Sequence, residues 1–152
     1  LRRGEVASLR LDQIDLVGAR LHIWRLKRRQ PQVYPLVPSV GQALRRYIND
    51  ARPNVPHAEV FIQTKAPRIP ILATAIYTIV SRRLRALDIH AAHLGPHALR
   101  HSCAAKLLAD GLTLKEIGDH LGHRSTSATM AYTKVDLGAL RQVGDFDLGG
   151  LK

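Results

Sequence analysis

The stretch PHALRHSCAAKLLADGLTLKEIGDHLGH, residues 96–123, decides how the rest of the chain is read. Gly95 and Pro96 interrupt the chain and open a helix. From His97 to Ala109 the spacing stays helical, and Gly111 supplies the stop. Thr113 is a capping residue for the next segment, which runs through about Leu121. Two short helices therefore follow one another. Helical spacing puts His97 and Arg100, three positions apart, on one face of the first, so that both can point at one ligand. Leu121-Gly122-His123 falls at the end of the second.

Downstream, Ser125 or Ser127 starts a further predicted helix through Val135, which would carry Tyr132 nine positions after His123. Leu137 to Val143 is a candidate terminal helix, and the tail 144–152 is Gly-rich. Upstream, Ala73 to Ala86 reads as a helix with Ile76, Ile79 and Leu84 inward and Arg82, Arg83 and Arg85 on a basic face. Residues 52–70 are rich in Pro and read as irregular, apart from an extended piece from Val60 to Gln63, and they offer no deducible site. Ser39 is expected to cap a helix through about Ala51, with Val40, Leu44 and Ile48 on one face. Arg20 to Trp24 alternates, with Leu21 and Ile23 together, and Gln32 to Val37 is β-rich. Between them lies the basic, turn-prone Lys27 to Pro31, so the order is strand, hairpin loop, strand. Gly4 to Leu11 reads as the end of a helix, and Asp12 to Asp15 as a turn.

The 152 residues suit one domain with a substantial core. A hydrophobic share of 45% with 23% charged residues argues against wholesale disorder. Lys and Arg number 23 against 12 Asp and Glu, a formal charge of +11. That implies an anionic partner, either nucleic acid or an anionic membrane surface, and charge alone does not choose between them. The basic residues are spread through the chain, as a folded basic surface requires. No apolar run reaches the ~20 residues needed to cross a bilayer, and no secretory signal is evident. A cytosolic setting without a membrane partner is expected. The single Cys103 cannot form an internal disulfide and is expected to pack as a small apolar residue. The chain starts at Leu1, inside what reads as a helix without its cap, which suggests a fragment of a longer protein.

Pro96-His97-Ala98-Leu99-Arg100-His101, then Leu121-Gly122-His123, then Tyr132, together resemble the signature of the tyrosine recombinases, the phage integrase family. The resemblance spans nearly the whole chain. It implies a mainly helical catalytic domain with a small antiparallel β-hairpin or sheet near the N-terminus, and a separate N-terminal DNA-clamping domain that these residues do not supply. It implies a second active-site arginine early in the domain, followed three positions later by Glu, which Arg2 and Glu5 match. It implies a proton donor in the hairpin loop, which Lys27 matches. Here Tyr34 replaces the family's usual aliphatic residue, and Arg28-Arg29 replaces its usual small turn residues. Residues 137–152 resemble the family's C-terminal extension, which docks onto a neighbouring protomer, and the family works as a tetramer on duplex DNA.

The chemistry asks for these residue types. A phenol with a pKa of about 10 is a poor nucleophile near neutral pH, so Tyr132 needs help. An arginine fork donates to two non-bridging phosphate oxygens at once and stays charged, which stabilises the extra negative charge on pentavalent phosphorus. Arg100 suits that task, and the family role of the second arginine passes to Arg2. Lysine can release a proton among other cations whereas arginine effectively cannot, so Lys27 is the better candidate for the acid that protonates the leaving 5′ oxygen. His123 would donate to a non-bridging oxygen. His97 would do the same or assist proton transfer at the tyrosine, and the sequence does not divide these roles. The expected product is a 3′-phosphotyrosine beside a free 5′ hydroxyl. Because the bond energy is kept, neither metal nor nucleotide cofactor is required, and neither a P-loop nor a tight carboxylate cluster is seen.

Blander readings compete at single positions. His93, His97, His101, His120, His123 and Cys103 could suggest zinc, but no closed four-ligand set is evident. His101 is expected behind the site, and His93 and His120 at the surface. Trp24 and Tyr34 read as strand packing rather than base-stacking platforms. Thr113 to Val135 also has the outline of a helix-turn-helix, which would make the chain a DNA-binding regulator with Tyr132 in its core. That reading leaves Arg2, Lys27, His97 and Arg100 unexplained. A catalytically silent relative that only binds DNA would share this pattern of residues, and a type IB topoisomerase would share the tyrosine chemistry. The DNA site and the biological role are not legible.

Overall fold

The computed structural model describes residues 1–25, 30–89 and 94–122. Contacts gather into two compact units, one of Arg3–Ala75, the other of Leu1–Arg2 with Ile76–Asp147 as far as described.

In the first unit, helix α1 (Arg3–Ala7) leads through a 3-10 turn (Leu11–Gln13) into three antiparallel strands, β1 (Ile14–Asp15), β2 (Arg20–Arg25) and β3 (Gln30–Pro35), in the order β1-β2-β3. The expected strand pair is present, and β1 joins it as a third strand too short to be read from periodicity. The β1–β2 turn is held by Asp15, whose carboxylate accepts from the backbone N–H of Val17 at 3.1 Å and Gly18 at 2.7 Å, the local geometry that favours Asp in turns. Pairing of Leu21 with Tyr34 and Ile23 with Gln32 fixes the register. Pro31 and Pro35 are tolerated because β3 lies at the sheet edge, where a missing N–H costs no ladder bond.

Strand alternation turns Ile23 inward, where it joins Leu9, Leu36, Leu44 and Val60 in the core of this unit. Each such burial contributes roughly 1.5–3 kcal/mol. The same alternation turns Trp24 outward, leaving it 55% exposed. The expectation that Trp24 packs within the strands is thus corrected, while Tyr34 does lie against the core.

Helix α2 (Pro38–Arg46) runs on into a π-helical turn (Tyr47–Ala51). The expected cap at Ser39 is also corrected. The N-cap is Val37, which makes no side-chain cap bond. Pro38 takes the first helical position, where its fixed φ suits the helix and its missing N–H costs nothing. Residues 52–70 are irregular, as their Pro content suggests. Their backbone is gathered by Arg52, whose guanidinium donates to the carbonyls of His57 at 2.6 Å, Glu59 at 2.9 Å and Val60 at 3.1 Å.

In the second unit, helix α3 (Ala73–Ala86, of which Ile76 onward belongs here) turns Ile76, Val80 and Leu84 to one side at spacing four. Leu84, Ile89 and Ala98 form a buried cluster with Val80, Leu94 and Leu99 against it. Ile79, expected inward, is instead 58% exposed. It lies beyond Ile76 on the flank away from Val80 and Leu84, beside the exposed Arg82 and Arg83. Helix α4 (Pro96–Ala109) and helix α5 (Leu114–Leu121) have the bounds that their capping residues indicate. The segments expected to be helical at 125–135 and 137–143 lie outside the described residues.

Candidate active site

Helices α4 and α5 meet through Ala104, Ile117 and Leu121, with Leu107, Leu108 and Leu112 packed around them. Ile117 is 1% exposed and Ala104 fully buried. A methyl group at position 104 lets the two helices approach, and it lies one turn along α4 from Arg100. The packing that fixes α5 therefore also fixes its end relative to that arginine.

Both ends of α5 are chemically defined. At its start Thr113 and Glu116 cap each other reciprocally: the Thr113 hydroxyl accepts from the Glu116 N–H at 3.3 Å, and the Glu116 carboxylate accepts from the Thr113 N–H at 2.8 Å and hydroxyl at 2.6 Å. These bonds, the hydroxyl's first, hold the Glu116 pKa below its ordinary value. At its other end Gly122 adopts the left-handed conformation, φ 68° and ψ 43°, and its N–H closes the helix onto Asp119 and Gly118. That conformation favours glycine, because an added Cβ crowds the backbone.

The last carbonyls of a helix have no intrahelical donor and carry the negative end of its dipole, so they attract cations. Here two guanidiniums take them. Arg2 Nη2 donates to the carbonyl of Gly122 at 2.8 Å, and Arg100 Nη2 donates to the carbonyl of Leu121 at 2.5 Å. The two arginines singled out in the sequence, one at the start of the chain and one on α4, are thus brought to adjacent peptide groups. Arg100 Nη1 is buried and has no hydrogen-bond partner among the described residues. An unpaired buried donor is costly, of order 1–3 kcal/mol, and an anionic oxygen accepting from this Nη1 would relieve that cost.

His97 lies on α4 one turn before His101, and the two rings meet edge to face at 4.2 Å between centroids. His97 is exposed and His101 half-buried. His120 is exposed, as expected. Cys103 does not pack inward. Its thiol is exposed, because Ala98, Ser102 and Ala105 occupy the buried side of α4. Partial burial among surrounding protein atoms nonetheless raises its pKa.

Of the six residues proposed from the sequence, Arg2, His97 and Arg100 are described, and the arginines share one helix end. Lys27, His123 and Tyr132 lie outside the described residues, as does His93. Sequence reasoning missed the carbonyls of Leu121 and Gly122 as participants, since side-chain chemistry cannot reveal a backbone group. The one signal for them is the helix-ending glycine itself.

The phage integrase family matches residues 1–138 of the chain. The chain is 34% identical over 151 residues to the integrase/recombinase y4gC of Sinorhizobium fredii, a match covering 99% of this chain and 77% of that protein. To y4rA of the same organism it is 40% identical over 142 residues, covering 93% of this chain and 34% of that one. The type 1 fimbriae regulatory protein FimB of Escherichia coli is 34% identical over 151 residues, covering 95% of this chain and 72% of its own length. Among solved structures, XerA recombinase superposes with a TM-score of 0.77 at 24% identity, covering 93% of this chain and 51% of that one. XerH site-specific recombinase, bound to a palindromic difH substrate after cleavage, gives 0.73 at 22%, covering 93% and 40%. The mainly helical fold with its small antiparallel sheet is the fold of these recombinases. The chain spans about a third of y4rA and about half or less of the two recombinase structures.

Proposed function

This chain belongs to the phage integrase family, and on that premise we propose that it breaks and rejoins duplex DNA at specific sites as a tyrosine recombinase. The observation that carries this reading is the convergence of Arg2 and Arg100 on the end of α5. Two guanidiniums held at one place suit a phosphodiester, whose non-bridging oxygens gain negative charge as phosphorus becomes pentavalent. The formal charge of +11 supplies the wider attraction to a polyanion.

In this mechanism the Tyr132 oxygen attacks phosphorus and the bond from phosphorus to the 5′ oxygen breaks. The phenolic proton passes to His97, and the departing 5′ oxygen takes a proton from Lys27. His123, next in the chain after Gly122, donates to a non-bridging oxygen. The products are a 3′-phosphotyrosine and a free 5′ hydroxyl, and a 5′ hydroxyl from a partner strand reverses the same steps. Strand exchange needs several protomers, for which a tetramer with residues 137–152 docked on a neighbour is the arrangement we favour. Deleting Leu137 onward should then abolish synapsis, and unchanged assembly would exclude that role for the tail. Among the described residues no helix is long and apolar enough to cross a membrane.

The test is covalent capture. The full chain is incubated with nicked duplexes tiled across the DNA on either side of its own gene, and the products are run on a denaturing gel. A protein–DNA adduct is expected with the parent and absent with Tyr132→Phe. An adduct that persists in the Phe variant overturns the nucleophile, and a parent that forms none overturns the activity.

A further inference from the structure

The geometry points to Gly122 as the positioning residue of the arginine pair: its left-handed conformation presents two successive carbonyls of the α5 end, and these aim Arg2 and Arg100. The inference rests on the reading that both arginines bind the scissile phosphate. The role assigned to Gly122 involves no contact with substrate.

Three observations meet at this point. Gly122 ends α5 at φ 68° and is buried. The carbonyls of Leu121 and Gly122 are each occupied by one guanidinium. The helix that carries these carbonyls is locked to α4 by Ala104, Ile117 and Leu121, so the acceptors cannot drift from Arg100.

A guanidinium has five N–H groups in one plane. Committing one of them to a fixed carbonyl, with the side chain anchored at its own Cα, restricts the plane and the direction of the others. Arg100 commits an Nη2 hydrogen to Leu121 and keeps Nη1, buried and without a partner among the described residues. A lysine in its place would give one point charge and no plane. The carbonyls also offset part of the repulsion that two cations would feel at close range, since they are the negative end of the α5 dipole. Orientation is thereby in place before DNA arrives, which is the condition under which charge stabilisation is most effective.

The conformation at position 122 decides whether this works. Asn enters the left-handed region readily, Ala at a cost, and Val scarcely at all. A Val there must rotate the peptide and swing at least one carbonyl away. We therefore expect Gly122→Asn to cleave within a few-fold of the parent, Gly122→Ala to fall between, and Gly122→Val to lose about a hundredfold in single-turnover cleavage, on the scale of one lost charge-stabilising donor. Duplex affinity should change far less, because it comes mostly from the wider basic surface.

The decisive arm uses a duplex with a neutral methylphosphonate at the cleavage position. It places less demand on the guanidiniums, so the deficit of Gly122→Val relative to the parent should shrink by about tenfold. A residue that matters only for folding would show the same deficit on both substrates, and that result would overturn the inference. So would equal cleavage by the Val and Asn variants, with thermal unfolding showing both folded. A parent that forms no adduct on either duplex instead removes the functional reading on which the inference stands.

Discussion

Arg2 and Gly122 stand 120 positions apart in the chain, and the guanidinium of the first donates to the carbonyl of the second at 2.8 Å. The neighbouring carbonyl of Leu121 is taken by Arg100. Neither bond involves an acidic side chain, so neither arginine is neutralised by it. In these two bonds it is backbone that directs each guanidinium.

That distinction makes Arg100→Lys informative. Charge is preserved, but one ammonium cannot hold the Leu121 carbonyl and clamp two phosphate oxygens in a plane. Cleavage of the nicked duplex should fall by about a hundredfold or more while binding to the same duplex is little changed. Retained cleavage in the Lys variant would mean that the planar fork is not what the reaction uses.

Ile117→Ala should lower stability by about 2–5 kcal/mol, the range for truncating a large buried aliphatic residue. Ile117 is the side chain wedged between α5 and Ala104. Urea unfolding measures the loss. A shift below about 1 kcal/mol would show that α4 and α5 are held by something other than this contact.

Thr113→Ala removes one half of the reciprocal cap and should cost about 1 kcal/mol. Glu116 gives the matching pH dependence. Its folded pKa lies below the ordinary 4.5 because Thr113 donates to the carboxylate. The stabilisation is therefore present above the unfolded pKa and is lost as pH falls through the folded one. Glu116→Gln should be less stable than the parent at neutral pH, with the difference closing in acid. A difference that stays constant across the carboxylate range would contradict the assignment.

Arg52→Lys should destabilise the unit that contains it by about 2–4 kcal/mol, since lysine cannot reach three carbonyls and leaves some of them without donors. Limited proteolysis offers an independent readout, with new cuts expected within residues 52–60. Equal protease resistance in parent and variant would assign the order of that segment to its prolines alone.

The helices around the site were largely legible because their punctuation is local. Pro96, Gly111, Thr113 and Gly122 each act on the peptide groups beside them, and α4 and α5 begin and end where such residues say they should. Faces are less legible. Ile79 has the spacing of a core residue but falls on the flank of α3 that its neighbours do not cover, and Cys103 faces out because Ala98, Ser102 and Ala105 face in. Trp24 shows the same limit in a strand, where hydrophobicity predicts burial and alternation decides against it. For the site, side-chain types and order singled out Arg2, His97 and Arg100. What sequence could not show is that two carbonyls hold the arginines, because every residue has a carbonyl and only geometry selects which ones matter.

The contact between Arg2 and Gly122 also has a bearing on the order of events during synthesis. A ribosome delivers Arg2 well before the peptide group it will bind, which is made some 120 residues later. Closing so long a loop is entropically slow compared with forming the hairpin or a single helix. A growing chain therefore carries much of its positive charge long before it can carry an assembled arginine pair. On the proposed reading, cleavage waits until α5 has been completed and docked and Tyr132 has followed it.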